Sequence, residues 1–373
     1  MKIIIAGDLV PTESNKNLFD SGNLTSLIGD KLLEIWQNAD ERIFNLEVPL
    51  TDLKTPIEKA GPNLMAHTST AKGIKALNPS IISLANNHIM DHGIKGLEST
   101  LQILNSFEIP CVGAGNNLKD AHKTAIIEKE GKKIGIYACA EHEFSIATEK
   151  KAGANPFDPF ESLDHIQELK EKCDYVIVLY HGGKEHYRYP SPLLQKTCRK
   201  IVKNGADIVV CQHSHCIGCF EDYEGGTIIY GQGNFIFDDV DDEFWNNSLL
   251  VQILLEDRIR IKYIPIVKNG AGIQLAEESI GAKILEDFHK RSIEILADGV
   301  VEAKYSAFAK EMVAMYLSYL AGYGKWRYRI HRYLFRGKLL KFRYSKKTKE
   351  LRNIIECEAH QELLLEGLKN LKK

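Results

Sequence analysis

The chain has 373 residues, of which 44% are apolar and 26% are charged, and its formal net charge at pH 7 is −2. This balance excludes an intrinsically disordered protein, which would be less apolar and carry a larger net charge. Eight cysteines in a chain of this length also exclude a small domain held together by disulfides. The length suggests two or three domains with ample chain for a buried core.

The first residues predict a β-strand rather than a targeting segment. Their apolar run is about four residues long, shorter than the roughly 7–15 residues of a signal-peptide core. No apolar run along the chain approaches the roughly 18–20 residues that a membrane span needs. We therefore expect a cytoplasmic protein with reduced cysteines.

Up to about residue 240, short apolar runs alternate with amphipathic stretches. The runs are rich in Ile, Val and Tyr, which favours strands, and they are Lys2–Ala6, Arg42–Leu46, Ile81–Ala85, Ile134–Ala138, Tyr175–Tyr180, Asp207–Cys211 and Thr227–Tyr230. The predicted helices between them are Leu24–Gln37, Thr70–Leu77, Lys95–Phe107, Phe160–Lys172 and Pro192–Asn204. This alternation predicts an α/β domain whose sheets are covered by helices.

The pattern changes after about residue 248. Ser248–Leu255 and Arg258–Ile266 predict a hairpin, and the predicted helices that follow are Ala276–Leu296, Val301–Leu320 and Lys349–Leu368. A linker-like stretch at 268–272 predicts a domain boundary, with residues 1–268 in the first domain and 273–373 in a helical C-terminal region.

Charge is distributed unevenly, because residues 325–349 contain 11 Lys or Arg and no Asp or Glu. Aromatic residues are interleaved with these cations, which is typical of a surface for an anionic partner. We favour peripheral contact with the inner face of a membrane. Nucleic acid is less favoured, and docking onto the acidic remainder of the chain stays open as a third interpretation.

Chemically active side chains follow five of the predicted strands. They are Asp8, Glu47, Asn87 with His88 and Asp91, His181, and His213 with His215. Ligands of open α/β sheets bind outside the carboxyl ends of the strands, so we expect these side chains to converge.

The residue types at these strand ends suit a divalent metal site. Carboxylate oxygens and neutral imidazoles bind Mn, Zn or Fe, and a carboxylate such as Glu47 can bridge two ions. His88 can protonate a leaving oxygen beside Asn87. The candidate substrate contacts are Lys184, Glu185, His186 and Asn234.

In order and spacing, these segments resemble the CapA family of bacterial capsule and poly-γ-glutamate synthesis proteins, a branch of the calcineurin-like metallophosphoesterases. The matching segments are Ala6–Asp8, Phe44–Glu47, Leu84–His88 with Asp91 and Gly93, Gly113–Gly115, His181–Glu185 with Tyr187 and Pro190, His213–His215 and Gly233–Asp238. The resemblance covers about residues 1–240 and implies a four-layer α/β/β/α sandwich. It further implies one or two divalent ions, with His88 near the leaving group and with metal ligands Asp8, Glu47, Asn87, His181, His213 and His215.

Two positions depart from the phosphoesterase pattern. Val10 stands where that pattern has a histidine ligand, and Glu47 stands where it has a bridging aspartate. One ion therefore loses a nitrogen ligand, which leaves the number of ions and the catalytic activity open.

Three hypotheses about function follow. The first is a metal-dependent hydrolase of phosphoesterase type that uses metal-activated water in the synthesis of a capsule or surface polymer, on an anionic or polymeric substrate. The second is a non-catalytic metal-binding component of a polymer synthesis or export assembly. The third is a phosphoesterase that processes nucleic acid.

Overall fold

A computed structural model describes residues 1–238 and 241–371, apart from the side chains of residues 325 and 332. The structure therefore does not describe the last two residues of the expected C-terminal region, or the side chains of two cations in the basic segment.

The strands occupy the first three-quarters of the chain. In chain order they are β1 (Lys2–Val10), β2 (Glu41–Leu46), β3 (Ile81–Ser83), β4 (Cys111–Val112), β5 (Ala114–Gly115), β6 (Ala125–Lys129), β7 (Lys132–Ala140), β8 (Gly153–Ala154), β9 (Tyr175–His181), β10 (Ile208–Gln212), β11 (Phe220–Tyr223), β12 (Gly226–Ile229), β13 (Asn234–Phe237), β14 (Asn247–Leu255), β15 (Ile259–Asn269) and β16 (Gly272–Leu275). Each run predicted as a strand forms one, with ends that differ by a few residues.

The helices are, in order, α1 (Lys16–Ser21), α2 (Leu24–Ile28), α3 (Asp30–Gln37), α4 (Ala71–Ala76), α5 (Gly93–Ser106), α6 (Leu118–Ala121), α7 (Ser162–Lys172), α8 (Pro192–Lys203), α9 (Glu278–Glu294), α10 (Val300–Leu320), α11 (Lys325–Phe335), α12 (Lys338–Ser345), α13 (Thr348–Glu356) and α14 (Glu358–Asn370). A short 3₁₀ turn at Thr68–Thr70 precedes α4.

Two of the predicted helices are each divided in two. The stretch Leu24–Gln37 breaks at Gly29, whose φ of 68° is left-handed and ends α2 before α3 begins. The last predicted helix breaks at Cys357, whose extended backbone separates α13 from α14. Neither break could be predicted from apolar periodicity, because the helical pattern of apolar residues resumes after each break.

The strands form two sheets that each have a parallel centre. The first has the order β16-β15-β14-β1-β2-β3-β4, and β13 adds to the second half of β1. The second has the order β11-β12-β10-β9-β7-β6, and the short strands β5 and β8 pair separately. The carboxyl ends of β1, β2 and β3 therefore share one edge, as do those of β9 and β10.

The central strands are buried on both faces, and their side chains alternate between two cores, which produces four layers. Ile3 and Ile5 of β1 lie in one core with Ile136 of β7 and Ile177 of β9, so the two sheets pack face to face. The opposite face of β1 carries Ile4 into a second core.

Helices α1 to α5 supply the other side of that second core, with side chains that include Phe19, Trp36 and Leu97. Helices α7 and α8 cover the outer face of the second sheet through Ile166 and Ile201. The expected α/β/β/α sandwich is thus confirmed.

The chain divides into two compact units, Met1–Val301 and Glu302–Lys373. The division lies later than the boundary expected at 268–273, because residues 270–271 form the tight turn between β15 and β16. Helix α9 also belongs to the first unit, where the Phe288 ring lies 5.3 Å from that of Phe220. Among the described residues, no helix combines the length and apolarity needed to cross a bilayer.

Candidate metal centre

The two sheets bring the strand-end residues to one place. Asp8 lies in β1, and Glu47 and Asn87 follow β2 and β3 of the same sheet. His181 ends β9 of the second sheet, and its Nε2 lies 3.0 Å from Asn87 Oδ1. The site therefore spans the edge at which both sheets end.

Glu47 is the buried acid of the site. Its side chain is 0% exposed, and neither carboxylate oxygen accepts a hydrogen bond from any described residue. Burial, followed by the charge of Asp8, raises the pKa of Glu47 to about 8. A buried carboxylate without hydrogen bonds is costly unless a cation accompanies it.

Asp8 is held by groups from both sheets. Asn45 Nδ2 donates to Oδ1 at 2.7 Å, and the His213 backbone N–H donates to Oδ2 at 3.1 Å. Asn86 Nδ2 in turn donates to Asn45 Oδ1 at 3.0 Å. This amide chain orients the carboxylate and links the ends of β1, β2 and β3.

His181 Nε2 is a point of convergence. It lies 3.1 Å from His213 Nδ1 and 3.2 Å from Glu47 Oε1, in addition to its contact with Asn87. Four potential metal-ligand atoms thus meet in the interior of the protein. Such crowding of lone pairs is the arrangement expected around a cation.

Burial favours the neutral form of two imidazoles of the site, His181 and His213. Burial lowers the pKa of His181, against an opposing effect of Asp8. Burial, followed by the charges of His181 and His215, lowers the pKa of His213 well below its usual value. Neutral imidazoles keep the lone pair that a metal requires.

Within the part of the chain that the structure describes, three groups of side chains have ligand atoms within 4.8 Å of one another. They are Asp8 with Glu47 and His215, Glu47 with His181 and His213, and Glu185 with His213 and His215. The first two groups share Glu47, which is where a bridging ligand is expected. This donor set, together with the unpartnered Glu47 oxygens, fits one or two divalent ions.

The backbone at the histidines adopts an unusual conformation. His186, His213 and His215 have φ values of 58°, 82° and 52°, in the left-handed region that residues other than glycine rarely adopt. Such strain persists where surrounding structure enforces it, and it is common at functional sites.

His88 lies at the mouth of the site with a charged pair behind it. Its Nδ1 lies 2.6 Å from Asp91 Oδ2, and Asp91 also forms an ion pair with Lys59. The Lys59 ammonium lies 3.2 Å from His88 Nδ1. Both charged side chains are almost completely buried, so the pair is part of the interior rather than a surface contact.

Lys59 is the residue that the sequence did not indicate. It lies in the irregular stretch between β2 and the 3₁₀ turn, where there is no periodicity to read. His92 holds this stretch by accepting a hydrogen bond from the Thr55 backbone N–H at 2.9 Å. The contact of Lys59 with Asp91 depends on that fold of the loop.

The expected substrate contacts divide into two kinds. Lys184 and Glu185 are partly exposed at the mouth, 4.0 Å apart. Asn234 is buried, and its Oδ1 lies 2.8 Å from His215 Nδ1, so it can fix the orientation of that ring. The Asn234 Nδ2 has no hydrogen-bond partner among the described residues.

An aromatic cluster supports the outer histidines. Trp245 stacks on the His215 ring at 4.8 Å and donates from Nε1 to His186 Nε2 at 3.2 Å. Phe244 stacks on His186 at 5.4 Å. His186 is thus a packing partner of the site, and the aromatic cluster was not indicated by the sequence.

Val10 differs from the histidine ligand of the phosphoesterase pattern in its surroundings as well as in its side-chain chemistry. Val10 is buried in the apolar core and offers no ligand atom. The eight cysteines are free, and none belongs to a cluster that could hold a metal among the described residues.

Comparison with known proteins places these features in a family. Residues 2–239 match the family described as bacterial capsule synthesis protein PGA_cap. The capsule biosynthesis protein CapA of Bacillus anthracis is 33% identical over 233 residues, covering 59% of this chain and 56% of that protein. The PGA biosynthesis protein CapA of Bacillus subtilis is 31% identical over 247 residues, covering 64% and 60%. The matched region thus spans little more than half of these relatives.

Solved structures show more distant similarity. A novel phosphatase of Mycoplasma pneumoniae has a TM-score of 0.46 at 16% identity, covering 72% of this chain and 94% of that one. A putative 5'-nucleotidase of Staphylococcus aureus has a TM-score of 0.45 at 14% identity, covering 78% and 58%.

Proposed function

Because this chain belongs to the bacterial capsule synthesis protein family PGA_cap, we propose that it is a metal-dependent hydrolase of a phosphoester in capsule or surface-polymer synthesis. The observation that carries the proposal is the buried, unpartnered carboxylate of Glu47, shared by two groups of potential ligands. A bound cation would compensate the cost of ionising this buried carboxyl group.

Two sets of residues would hold the metal. Asp8, Glu47 and His215 form one, and Glu47, His181 and His213 form the other, with Asn87 beside His181. When bound, the ion would activate a water molecule and neutralise negative charge on a phosphoryl oxygen.

His88 would act as the general acid. Asp91 fixes the ring through Nδ1, and within the described residues no hydrogen bond engages Nε2. That nitrogen is therefore available to donate a proton to a leaving oxygen. Asp91 is a positioning residue, and Lys59 offsets its buried charge.

A phosphoester substrate suits the mouth of the site. Lys184 places a partly exposed cation at the loop that follows His181. An ammonium there can bind a second anionic group of the substrate, which suits a polymer or lipid carrier with repeated phosphates or carboxylates.

The test combines metal content with turnover. The purified protein is loaded with Mn²⁺ or Zn²⁺, its metal content is measured, and hydrolysis of generic phosphomonoesters and phosphodiesters is followed. We expect Glu47→Gln to lose both metal and turnover. His88→Asn should retain the metal and lose turnover by about 100-fold or more, the usual size of general acid catalysis. His289→Asn, at an exposed position away from the site, serves as the matched control.

The alternative is a metal-binding component without catalysis. Val10 favours it, because the first ligand group contains one imidazole and has no second nitrogen ligand beside Asp8. Metal bound at Glu47 without turnover of any ester class would support this alternative and contradict the proposed hydrolase.

A further inference from the structure

The basic segment 325–349 forms two helices with an exposed apolar face. In α11, Trp326, Ile330, Tyr333 and Leu334 follow helical spacing and are all exposed, from 57% for Ile330 to 88% for Tyr333. In α12, Leu339 and Phe342 are 50% and 66% exposed. These side chains are not core residues of the second unit.

A different side of the same helices supplies the packing. His331 is buried, with its ring 6.0 Å from Tyr323 and 5.3 Å from Phe335. Leu340 of α12 is also buried. The exposed apolar face is therefore additional to the face that holds the helices in place, so folding does not explain it.

Cations flank the exposed face and have no acidic partners. Arg327, Arg329, Lys341 and Arg343 are exposed, and no carboxylate in the described part of the second unit pairs with them. The Arg329 guanidinium lies 5.6 Å from the Trp326 ring centroid. Charge and aromatic surface thus occur on the same side.

We propose that α11 and α12 bind the anionic surface of a lipid bilayer. Trp326, Tyr333 and Phe342 would enter the headgroup region, where amphipathic aromatic rings are favoured, and the flanking cations would contact lipid phosphates. The apolar and electrostatic contributions act together, as stable peripheral binding requires.

The exposed aliphatic residues favour a bilayer over the other anionic partner. Proteins that bind single-stranded nucleic acid present aromatic rings for base stacking, whereas Ile330, Leu334 and Leu339 have no role on bases and partition into lipid. A second copy of the same face is disfavoured, because it would bring two sets of uncompensated cations together.

The test uses vesicles of phosphatidylcholine alone or mixed with phosphatidylglycerol, at low and high salt, with the whole chain. Sedimentation measures binding. Acrylamide quenching with and without vesicles reports burial of tryptophan, and because the chain also contains Trp36 and Trp245, the difference from a variant without Trp326 isolates that residue. The charge variant is Arg327→Gln with Arg329→Gln, Lys341→Gln and Arg343→Gln. The apolar variant is Trp326→Ser with Tyr333→Ser and Phe342→Ser.

We expect binding to the anionic vesicles that high salt abolishes, with weak binding to phosphatidylcholine alone. The charge variant should bind roughly 600-fold more weakly, because each of the four cations near such a surface contributes about fivefold. The apolar variant should bind at least about tenfold more weakly, and vesicles should protect tryptophan from acrylamide in the wild type but not in this variant, which lacks Trp326.

The chain offers a matched control in α14. Leu364, Leu368 and Leu371 are similarly exposed and spaced, but Glu362 and Glu366 accompany them. Replacing the three leucines by serine should leave vesicle binding unchanged. Circular dichroism on each variant confirms that the helices are retained.

Three results would overturn the proposal. The first is absence of binding to anionic vesicles at low salt by the folded wild type. The second is equal loss of binding in the α14 control. The third is tighter binding of single- or double-stranded DNA through the same residues, with displacement of the vesicles. None of these readouts depends on metal or turnover, so the proposal stands or falls separately from the proposed hydrolase.

Discussion

At the scale of single residues, Glu47 makes the stability of the metal-free protein depend on pH. Its pKa is raised from 4.5 to about 8, so the folded state retains a proton that the unfolded chain has released. The stabilisation is complete below pH 4.5 and is lost as the pH rises through 8. His181 and His213 act oppositely, since their lowered pKa values raise stability only up to about pH 6.5.

Between pH 6.5 and 8, the pH dependence of stability therefore reports the carboxyl group of Glu47 and no longer the two histidines. We expect the free energy of unfolding of the metal-free protein to fall by about 2 kcal/mol across it, at about 1.36 kcal/mol per pH unit. Urea unfolding at several pH values measures this. Burial also raises the pKa of Glu141. The measurement therefore compares wild type with Glu47→Gln, because Glu141 is present in both proteins and its contribution cancels. An equal fall in the variant would refute the assignment to Glu47.

The pair of Lys59 and Asp91 is a second buried charge arrangement, and here the partner is part of the chain. Lys59→Met leaves Asp91 buried with the His88 ring and the Leu64 backbone N–H as polar partners but without a cation, so unfolding should require about 3 kcal/mol less. Adding Asp91→Asn should recover part of that loss in a double-mutant cycle.

The matched control for that cycle is the surface pair of Lys123 and Asp120. Its atoms lie 2.7 Å apart, but the lysine side chain is 67% exposed. Lys123→Met should change the free energy of unfolding by less than about 1 kcal/mol. If Lys59→Met lowers the free energy of unfolding no more than Lys123→Met does, burial does not strengthen the pair of Lys59 and Asp91.

At the scale of elements, strand β1 determines the geometry of the site. Its residues up to Ile5 pair with β14, and its residues from Asp8 onward pair with β13, so the two halves of the strand have different neighbours. Gly7 lies at this change of partner, where an added Cβ would stand 1.9 Å from the Gly233 carbonyl oxygen. A glycine is thus required for the strands to approach beside the first ligand.

Gly7→Ala should therefore destabilise the protein by about 3 kcal/mol and weaken metal binding, since Asp8 would move with the strand. Thermal unfolding and a metal titration measure the two effects. Gly367→Ala, in the open at α14, is the control and should be neutral or slightly stabilising. Wild-type metal affinity in Gly7→Ala would show that the strand contact does not position Asp8.

At the scale of the whole molecule, the candidate metal centre connects parts of the chain that are far apart in sequence. Asp8 and Glu47 belong to one sheet, and His181 and His213 to the other. An ion bound by residues of both sheets would hold the two sheets together. It would do so only in the folded state, because the ligands are far apart in the unfolded chain. It would also act on the first unit, since all of its ligands lie within Met1–Val301.

We therefore expect Mn²⁺ or Zn²⁺ at one hundred times its dissociation constant to stabilise folding by about 2.7 kcal/mol. Hydrogen exchange should slow at the ends of β1, β2, β9 and β10 and stay unchanged in residues 302–371. Slower exchange confined to one sheet would contradict a centre shared between the two.

The sequence alone determined the fold class and the identity of the strand ends. Short continuous apolar runs lie on buried strands, and the polar residues that end them follow directly in sequence, so local pattern suffices to place Asp8, His181 and His213 on or after those strands. The composition of the basic segment 325–349 is likewise evident from the sequence, whereas its helices α11 and α12 were not predicted.

Only the tertiary structure decided which atoms meet. The contact of Lys59 with Asp91, the amide chain through Asn45, and the stacking of Trp245 on His215 join elements with no sequence relation. The breaks at Gly29 and Cys357 and the division at Val301 likewise depend on packing. The reason is that periodicity reports which side of an element is buried, whereas loop paths and side-chain partners depend on neighbours brought close by the complete fold.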